Sequence, residues 1–441
     1  RPGRSGRPLS VCVLPFVNMS GDPEQEYFSD GISEDIITDL SNISALSVVS
    51  RNSAFQFKGR HVDVRQVARQ LGVSHVLEGS VRKAGNRVRI TAQLIEGAAD
   101  SHIWAERFDR DLTDIFALQD EISEAIVSAL RLKLLPAEKS AIGRRGTDNA
   151  DAYNLYLMAR RHWVSGNSDL VGLEELLRLA RRAVGIDPAY AQAWALMALA
   201  QTTLHFRHGA SEDGLAAAER ALSLDPNLAE PHAVKARHLD INGRPDEVEA
   251  EIELALRLDP ESYDVNFSAA FIRFRQQRLA EAIRYFEAAT RLSDTSFGAP
   301  GMLVTCYAAL GDAQGVSRNA RLALERAERA IEDDQSNGQA MGMGASALAA
   351  LGDHARAREW IARALLIDPD NRSMRYNLVC ALSFHLGDVE GANDLLEPYL
   401  ATATHSELQH AAVDPDLDPL RGDPRFKRMV AEAQARVAAS R

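Results

Sequence analysis

Cysteine is scarce in this chain, and its placement limits the chemistry that the chain can carry. Only three occur in 441 residues, at Cys12, Cys306 and Cys380. An odd number of widely separated cysteines excludes a disulfide framework and lacks the Cys-x-x-Cys pairs of common zinc sites. Free thiols suit a reducing compartment. We therefore expect a cytoplasmic protein.

Long apolar runs are also missing. No stretch of about 18 apolar residues occurs, so the sequence predicts no membrane-spanning helix. A signal-peptide pattern is absent as well. Residues 1–9 combine Pro, Gly, Ser and three Arg, which is a linker composition, and the chain begins with Arg1 rather than Met. We expect this linker to tether a segment upstream, although a frayed end or a cloning remnant would have the same composition.

Acidic residues outnumber basic residues, and most of the excess lies in residues 151–441. The formal net charge is −12. Residues 1–150 carry 19 basic and 20 acidic side chains, whereas residues 151–441 carry 31 and 42. Nucleic acids and anionic membranes would be repelled by such an acidic surface, so neither is expected as a partner. A chain of this length favours two or three domains.

A short motif divides the second part of the sequence at regular intervals. Ile-Asp-Pro or Leu-Asp-Pro recurs at 186–188, 224–226, 258–260 and 367–369, with degenerate copies at 292–294 and 331–333. The second and third prolines are 34 residues apart. Between copies, two amphipathic segments flank a turn such as Asn242-Gly243, and Gly and Asn tolerate the left-handed conformation that ends a helix. A period in the thirties predicts stacked helix pairs.

Small residues recur where the paired helices must approach each other. They are Ala159, Ala198, Ala236, Ala270 and Ala345 in first helices, and Ala183, Ala221, Ala255, Ala289, Ala330 and Ala364 in second helices. With the period and the terminal prolines, they make residues 151–400 resemble about seven tetratricopeptide repeats. The resemblance implies an all-α superhelix (a solenoid) with a groove for a protein or peptide. Residues 401–441 are expected to form a C-terminal helical cap.

The first part of the chain alternates strand and helix patterns. They predict strands at 10–16 and 46–50, helices at about 23–40 and 64–71, three antiparallel strands at about 75–83, 87–96 and 101–108, and a helix at 114–134. The order β-α-β-α-β-β-β predicts an α+β domain with a mixed sheet, which we bound at residues 10–135. A polar hinge follows at 136–150, where we expect relative motion.

Several motifs of this domain carry a second resemblance. They are Val13-Leu14-Pro15-Phe16, Asp30-Gly31, Leu71-Gly72-Val73, Leu77-Glu78-Gly79-Ser80-Val81-Arg82 and Trp104-Ala105-Glu106-Arg107-Phe108-Asp109. The domain resembles the TolB amino-terminal-like domain, related to FlgO. Followed by such repeats, it is similar to the C-terminal region of bacterial class III adenylate/guanylate cyclases, in which a catalytic domain lies upstream. A sister arrangement has a winged-helix DNA-binding domain upstream instead.

Known catalytic patterns are absent from the sequence. It contains no GxxxxGK[ST], HExxH or GxSxG motif. Four acids line up on the first predicted helix: Asp30, Glu34, Asp35 and Asp39. Because no ligands from other elements are apparent, we interpret this row as a solvated face. Four basic residues, Arg82, Lys83, Arg87 and Arg89, lie on a predicted hairpin but lack the interleaved aromatics of a nucleic-acid site. No metal and no cofactor is expected.

The best candidate binding site lies in the third and fourth repeats. Placed in the register of tetratricopeptide repeats, first-helix positions that line the groove include Arg237, Asp264, Phe267, Phe271, Phe274 and Arg275. Three Phe at i, i+4 and i+7 form one helical stripe. The stripe has two interpretations: buried core, or an aromatic and arginine groove that accepts a peptide or helix with a carboxylate.

Together these observations predict a non-catalytic regulatory and protein-interaction region of a bacterial signalling protein of cyclase type. A protein or peptide partner would occupy the groove, and the interpretation allows a homodimer. Two alternatives stay open: the sensory region of a winged-helix transcriptional regulator, and a stand-alone assembly scaffold. An enzyme is disfavoured, because class III cyclases need two metal-binding Asp on a ferredoxin-like core and residues 10–135 have a different strand order.

Overall fold

The N-terminal part of the chain is built on a mixed sheet of six strands. The computed structural model describes residues 9–60, 62–135, 146–164 and 170–439. The strands are β1 (Leu9–Val13), β2 (Val17–Asn18), β3 (Leu46–Val48), β4 (His75–Ala84), β5 (Arg87–Glu96) and β6 (Ser101–Asp111). Their order is β3-β1-β4-β5-β6, with β2 paired to β4. β1 runs parallel to β3 and β4, whereas β4, β5 and β6 form the predicted antiparallel meander.

Within the described residues, four α-helices accompany the sheet. They are α1 (Glu26–Ser41), α2 (Arg51–Phe55), α3 (Val64–Leu71) and α4 (Ile115–Ala129). The sequence did not predict β2 or α2, because two and five residues are too few for a periodic pattern. α3 ends at Gly72, as predicted, with a left-handed φ of 67°. α1 continues through Gly31 without interruption, since the missing Cβ leaves room for Leu157, whose Cδ atoms would lie 2.7 Å from such a Cβ.

α4 ends earlier than the sequence predicted. Its last residue is Ala129 rather than Leu134. Arg131 has a φ of 55°, and its N–H donates to the Ser128 carbonyl while the Leu132 N–H donates to the Val127 carbonyl, both at 2.9 to 3.1 Å. These two bonds define a Schellman motif, which stops the helix whatever apolar periodicity follows it.

Seven successive helix pairs follow among the described residues. They are α5 (Ala150–Val164) with α6 (Leu170–Ile186), α7 (Ala191–His208) with α8 (Leu215–Leu224), α9 (Ala229–Ile241) with α10 (Pro245–Leu258), α11 (Tyr263–Arg275) with α12 (Leu279–Leu292), α13 (Gly298–Ala309) with α14 (Ala313–Asp333), α15 (Gly338–Ala350) with α16 (His354–Ile367), and α17 (Arg372–Cys380) with α18 (Val389–Ala401). α17 continues into a π-helical turn, Ala381–His385. The fold is therefore a mixed-sheet domain followed by a tetratricopeptide-like solenoid.

Two kinds of small residue hold the pairs together. Glycines close the turns inside pairs with left-handed φ at Gly243, Gly311, Gly352 and Gly387. The predicted alanines at the crossings are fully buried, with one exception. Ala330 is half-buried, and Ala327 is buried in its place. The reason is that α14 is 21 residues long, so its contact with neighbouring helices lies one turn earlier than the repeat register predicts.

The chain ends in two further helices, α19 (His405–Val413) and α20 (Pro424–Ala439), separated by a 3₁₀ segment, Pro415–Leu420. Leu396 of α18, Leu417 and Phe426 of α20 share one apolar cluster. By contacts, the chain forms two compact units. The first unit comprises Arg1–Arg161 with Arg182–Tyr190, and the second comprises His162–Arg181 with Ala191–Arg441. Most of α5 thus belongs to the same unit as the sheet.

Candidate functional site

The chain's own helix α19 lies against first helices of the solenoid. Arg275 of α11 donates through Nη2 to Gln409 Oε1 at 2.6 Å and through Nη1 to the Ser406 carbonyl at 3.4 Å. Gln409 donates in turn to the Ile241 carbonyl of α9 at 3.3 Å. Gln277, just after α11, donates to the Val413 carbonyl at 2.8 Å. We call this surface of α9 and α11 the inner face. The sequence did not predict that α19 packs on it.

An aromatic group fastens α19 at its centre. His410 stacks on Phe271 with 5.2 Å between ring centroids. Phe274 and Tyr376 lie 5.8 and 5.4 Å from the same imidazole. Burial lowers the pKa of His410, and the nearby Asp414 carboxylate opposes that shift only in part. A neutral imidazole at pH 7 fits a stack of this kind.

The six predicted groove residues divide into two groups. Arg237, Phe271 and Arg275 line one cavity. The other three lie elsewhere. Phe274 is 0% exposed and packs in a cluster with Phe286 and Cys306. Phe267 is half-buried and meets Phe286 edge-on, with ring centroids 5.5 Å apart. Asp264 accepts a hydrogen bond of 2.9 Å from Trp163 Nε1.

The cavity contains about 440 Å³ of empty space, part of it open to solvent. Its lining residues come from helices α7, α9 and α11 and from the C-terminal helices α18 and α19: Phe206, Arg237, Asp240, Ile241, Phe271, Ile272, Arg275, Tyr399, Ser406, Glu407 and His410. Phe206 and the C-terminal residues escaped the sequence analysis, because no spacing rule relates them to the stripe on α11.

Arg237 is the cation at the centre of this cavity. Its guanidinium carbon lies 4.5 Å from the ring centroid of Phe206 and 5.2 Å from that of Phe271. Burial lowers the pKa of Arg237 to about 9, and the positive charges of Arg207 and Arg275 add to the shift. Within the part of the chain that the structure describes, Arg237 has no hydrogen bond and no ion pair. Aromatic rings are its contacts instead.

The acids beside Arg237 are already engaged. Asp240 accepts from Arg275 Nε at 2.8 Å, and both side chains are about 10% exposed. Glu407 pairs with Arg372 at 3.0 Å and accepts from the Thr404 N–H at 2.7 Å. Their negative charges are thus largely balanced by cations other than Arg237.

A thiol and two carboxyls meet where the 3₁₀ segment begins. The ligand atoms of Cys380, Asp414 and Asp416 lie within 4.8 Å of one another, and all three residues are buried. Asp414 accepts from Tyr376 Oη at 2.8 Å, and Asp416 Oδ2 accepts from Thr305 Oγ1 at 2.8 Å. Burial and the neighbouring Asp414 raise the pKa of Asp416 well above its ordinary value. Burial also raises the pKa of the Cys380 thiol. The set could hold a soft divalent cation only if these protons were displaced.

The acidic row of α1 is not the solvated face that the sequence predicted. Glu34 and Asp39 are buried at 7% and 6% exposure. Glu34 pairs with Arg51 and, at 2.8 Å, with Arg160 of α5. Asp39 accepts from Ser123 Oγ at 2.9 Å. The prediction was wrong because α4 and α5 cover this row, and contacts between distant segments are invisible to the local spacing of charges.

The remaining acids of the row also have partners. Asp35 accepts from Gln119 Nε2 at 2.7 Å and from the hydroxyl of Tyr153, and Asp30 pairs with Lys58. Every acid in this row therefore has a hydrogen-bonding group inside the first unit, which is the environment of a structural network.

The basic residues of the predicted hairpin also have partners inside the first unit. Arg87 and Arg89 both pair with Asp109 of β6. Arg82 Nε donates to the Met19 carbonyl at 3.0 Å. Lys83 donates to Asn154 Oδ1 at 3.0 Å, and its ammonium lies 4.7 Å from the Phe28 ring centroid.

Comparison with protein families finds two matches. The family described as HilA/YgeH-like transcriptional regulator, second domain, matches residues 7–125. A tetratricopeptide repeat family matches residues 339–371. The second match agrees with the helix pairs, and such repeats are typical of protein-interaction scaffolds. The first describes the sheet domain differently from the TolB-like resemblance.

One curated relative shares a long aligned region with the chain. It is a protein of Rhizobium meliloti (strain 1021) named "Putative adenylate cyclase 3", which is 46% identical over 246 residues. The match covers 54% of this chain and 42% of the relative. The chain therefore spans less than half the length of this relative.

Solved structures that match parts of this chain are more distant in sequence. The human IFIT1 dimer with PPP-AAAA is 16% identical, with 73% of this chain and 78% of that chain covered and a TM-score of 0.42. TolB from Acinetobacter baumannii is 16% identical, with 28% and 29% covered and a TM-score of 0.23. In the described ranges of the present chain, every helix is too short or too polar to cross a membrane.

Proposed function

We propose that this chain is a non-catalytic regulatory region, whose solenoid binds a protein partner on the inner face. The observation that carries the proposal is the position of α19. A helix already lies on the inner face, held by side chains of α11 through Gln409 and His410. A surface that accepts one helix in this way has the contacts that another helix or peptide needs.

The partner would use the same groups that α19 uses. Arg275 offers two donors, and Phe271 offers an aromatic surface. Aromatic and arginine side chains are the residue types that contribute most to binding at protein interfaces. The partner would then either displace α19 (residues 405–413) from the inner face or bind beside it on the same face.

The proposed setting is a bacterial signalling protein of nucleotide-cyclase type, with a TolB-like sheet domain between the upstream domain and the repeats. The aligned region of the Rhizobium meliloti relative supports this setting. A second candidate is the sensory region of a winged-helix transcriptional regulator, which the HilA/YgeH-like match over residues 7–125 favours. The gene sequence upstream of Arg1 distinguishes the two, since one predicts a cyclase domain and the other a DNA-binding domain.

Two experiments test the proposal. In the first, the purified chain is incubated with ATP or GTP and Mn²⁺, and we expect no cyclic nucleotide. Measurable product would contradict the non-catalytic role.

The second experiment captures partners from a lysate of the source organism. The immobilised chain is compared with Phe271→Ala, and with Arg284→Ala as a matched control, because Arg284 of α12 is exposed and stacks on Tyr285 of the same helix. We expect a captured protein to be lost with Phe271→Ala and kept with Arg284→Ala, and then to bind the purified chain directly. Equal capture by all three proteins would contradict binding on the inner face.

A further inference from the structure

Arg237 differs from the two arginines that pair with the acids of the cavity. Arg275 has Asp240 as its ion-pair partner at 2.8 Å, and Arg372 has Glu407 at 3.0 Å. Among the described residues, Arg237 alone of these three has no carboxylate within ion-pair distance, although Asp240 lines the same cavity. Keeping a guanidinium away from bulk water without a counter-charge costs free energy. An anion that binds beside Arg237 would supply the missing counter-charge and recover this free energy.

The walls of the cavity define the body of that anion. The ring centroids of Phe206 and Phe271 lie 4.5 and 5.2 Å from the guanidinium carbon of Arg237. Ile241, Ile272 and the ring of Tyr399 complete an apolar lining. A ligand in this cavity therefore meets mostly carbon, together with the guanidinium of Arg237, while the other lining guanidinium, Arg275, is already engaged by Asp240 and Gln409. Such a lining favours an apolar or aromatic body over a fully polar one.

The charges around the cavity define the head group. A guanidinium binds carboxylate and phosphate alike through paired N–H groups. Here, however, the carboxylates of Asp240 and Glu407 line the same cavity. Asp240 is paired with Arg275 and Glu407 with Arg372, so Arg237 brings the one positive charge of this group that no ion pair compensates. A monoanion neutralises that charge, whereas a dianion leaves one negative charge in excess. A single carboxylate is the better match.

We propose that this cavity binds a carboxylate attached to an apolar or aromatic body, with Arg237 as the residue that pairs with it. The carboxylate could belong to a free organic acid or to the C-terminus of a partner peptide, since both offer the same chemistry. The inference deepens the proposed function, because the cavity lies on the inner face. Its test does not depend on finding the partner.

The test is calorimetric titration of the whole chain with N-acetyl-phenylalanine and with N-acetyl-phenylalaninamide, which differ in the carboxylate alone. A hexapeptide ending in phenylalanine, as free acid and as amide, is the second pair, and inorganic phosphate is the third arm. We expect at least one acid to bind about tenfold or more tightly than its amide. Preference for the short acid indicates a free metabolite, and preference for the peptide acid indicates a C-terminus.

The diagnostic variant is Arg237→Met, which keeps an unbranched side chain beside the rings of Phe206 and Phe271 and removes the charge. It should lower the affinity for the acid about tenfold or more, while leaving the melting temperature unchanged or raised, because an unpaired charge is removed. Arg284→Met is the matched control, since Arg284 also stacks on an aromatic ring, 4.5 Å from the centroid of Tyr285. The control should bind the acid as the original chain does.

Three outcomes would overturn the inference: neither acid binds, phosphate binds in preference to both acids, or Arg237→Met binds as tightly as the original chain. The proposed function is judged separately. If Arg237→Met loses the acid but still captures the same protein that Phe271→Ala loses, the cavity serves a free acid and the partner site stands. If the acids bind and no protein is captured, only the proposed function fails.

Discussion

Arg160 of α5 and Glu34 of α1 form an ion pair, with Nη2 and Oε2 2.8 Å apart and the Glu34 side chain 8% exposed. Two further contacts join the same helices. Leu157 packs on Gly31, and Asn154 Oδ1 accepts from the hydroxyl of Tyr27 at 2.9 Å. The first helix of the repeat array is thus part of the core of the sheet domain. A substitution that destabilises α1 is therefore expected to destabilise α5, the first helix of the first repeat, as well.

Glu34→Gln should destabilise the first unit. The substitution leaves Arg160 and Arg51 facing a neutral amide in a buried position, and a broken buried pair of this kind costs about 2 kcal/mol or more. The measurement is hydrogen exchange of the α1 amides under native conditions. Glu124→Gln is the control, because Glu124 is exposed on α4 and its substitution should change stability by less than about 0.5 kcal/mol. Equal exchange in both variants would show that the pair contributes little.

The same pair has a defined pH dependence. Burial raises the pKa of Glu34, but Arg160 and Arg51 lower it by more, so it lies below its ordinary value of 4.5. The folded state therefore favours the ionised form, and the stabilisation is present above pH 4.5 and lost as pH falls through the folded-state pKa. The stability difference between the original chain and Glu34→Gln should shrink as the pH is lowered from about 6 to about 3. A constant difference would contradict this assignment.

Asp416→Asn should have the opposite effect. Burial and Asp414 raise the pKa of Asp416 well above 3.8, so the folded state favours its protonated form. As pH rises above the unfolded-state value, folding must retain that proton or bury a second charge, and stability falls. Its Oδ1 atom has no hydrogen-bond partner among the described residues. An Asn at this position keeps the bond with Thr305 and adds a donor for Asp414.

We therefore expect Asp416→Asn to raise the melting temperature at pH 7, by an amount equivalent to about 1 kcal/mol, with a gain that disappears near pH 4. Asp418→Asn is the control, because Asp418 lies two residues away and is exposed. A loss of stability in Asp416→Asn, together with a drop in melting temperature when a chelator is added to the original chain, would identify the Cys380 cluster as a metal site instead.

The elements of the fold were predictable where they depend on local pattern. The strand at 87–96 and the helix at 64–71 have the bounds that their periodicity predicted, because alternation and glycine caps act over a few residues. The end of α4 was not predictable, since the Schellman motif at Arg131 has no glycine to mark it. The burial of Ala327 in place of Ala330 was missed for a related reason: helix length shifts the register without changing the repeat motif.

The candidate site was predictable in part. Repeat register identified Arg237, Phe271 and Arg275, which do line one cavity. It could not separate them from Phe274, because positions i, i+4 and i+7 share one side of a helix and differ only in what packs there. Nor could it find Phe206 or His410. Those residues reach the cavity through the path of the whole chain, and His410 is 135 or more positions from any of the predicted six.

Phe274→Ala and Phe271→Ala should separate core from inner face. Phe274 is fully buried against Phe286 and Cys306, and its truncation should cost about 3–5 kcal/mol. Phe271 is half-buried, so its loss should cost clearly less and act mainly on binding. Urea denaturation of both variants, followed by circular dichroism, gives the comparison. Similar losses of stability would mean that Phe271 also belongs to the core.

Gln277 is the position where one repeat departs from the others. It has a φ of 60°, whereas the equivalent turns in four other pairs have Gly243, Gly311, Gly352 and Gly387. A non-glycine residue in this conformation is strained by about 1 kcal/mol. Gln277 also donates to the Val413 carbonyl at 2.8 Å. We infer that Gln277 has a strained backbone and that its side chain holds α19 through this hydrogen bond.

Two substitutions separate these effects. Gln277→Ala removes the hydrogen bond to Val413 and keeps the backbone strain, whereas Gln277→Gly removes both. Hydrogen exchange at residues 405–413 should become faster to the same extent in the two variants, because each loses the bond to Val413. Thermal unfolding should show Gln277→Gly more stable than Gln277→Ala by about 0.5 kcal/mol, because glycine relieves about 1 kcal/mol of strain and loses about half of that gain to its greater chain entropy. If the two variants melt together, the left-handed turn carries no strain; if exchange in α19 is unchanged, Gln277 does not hold that helix on the inner face.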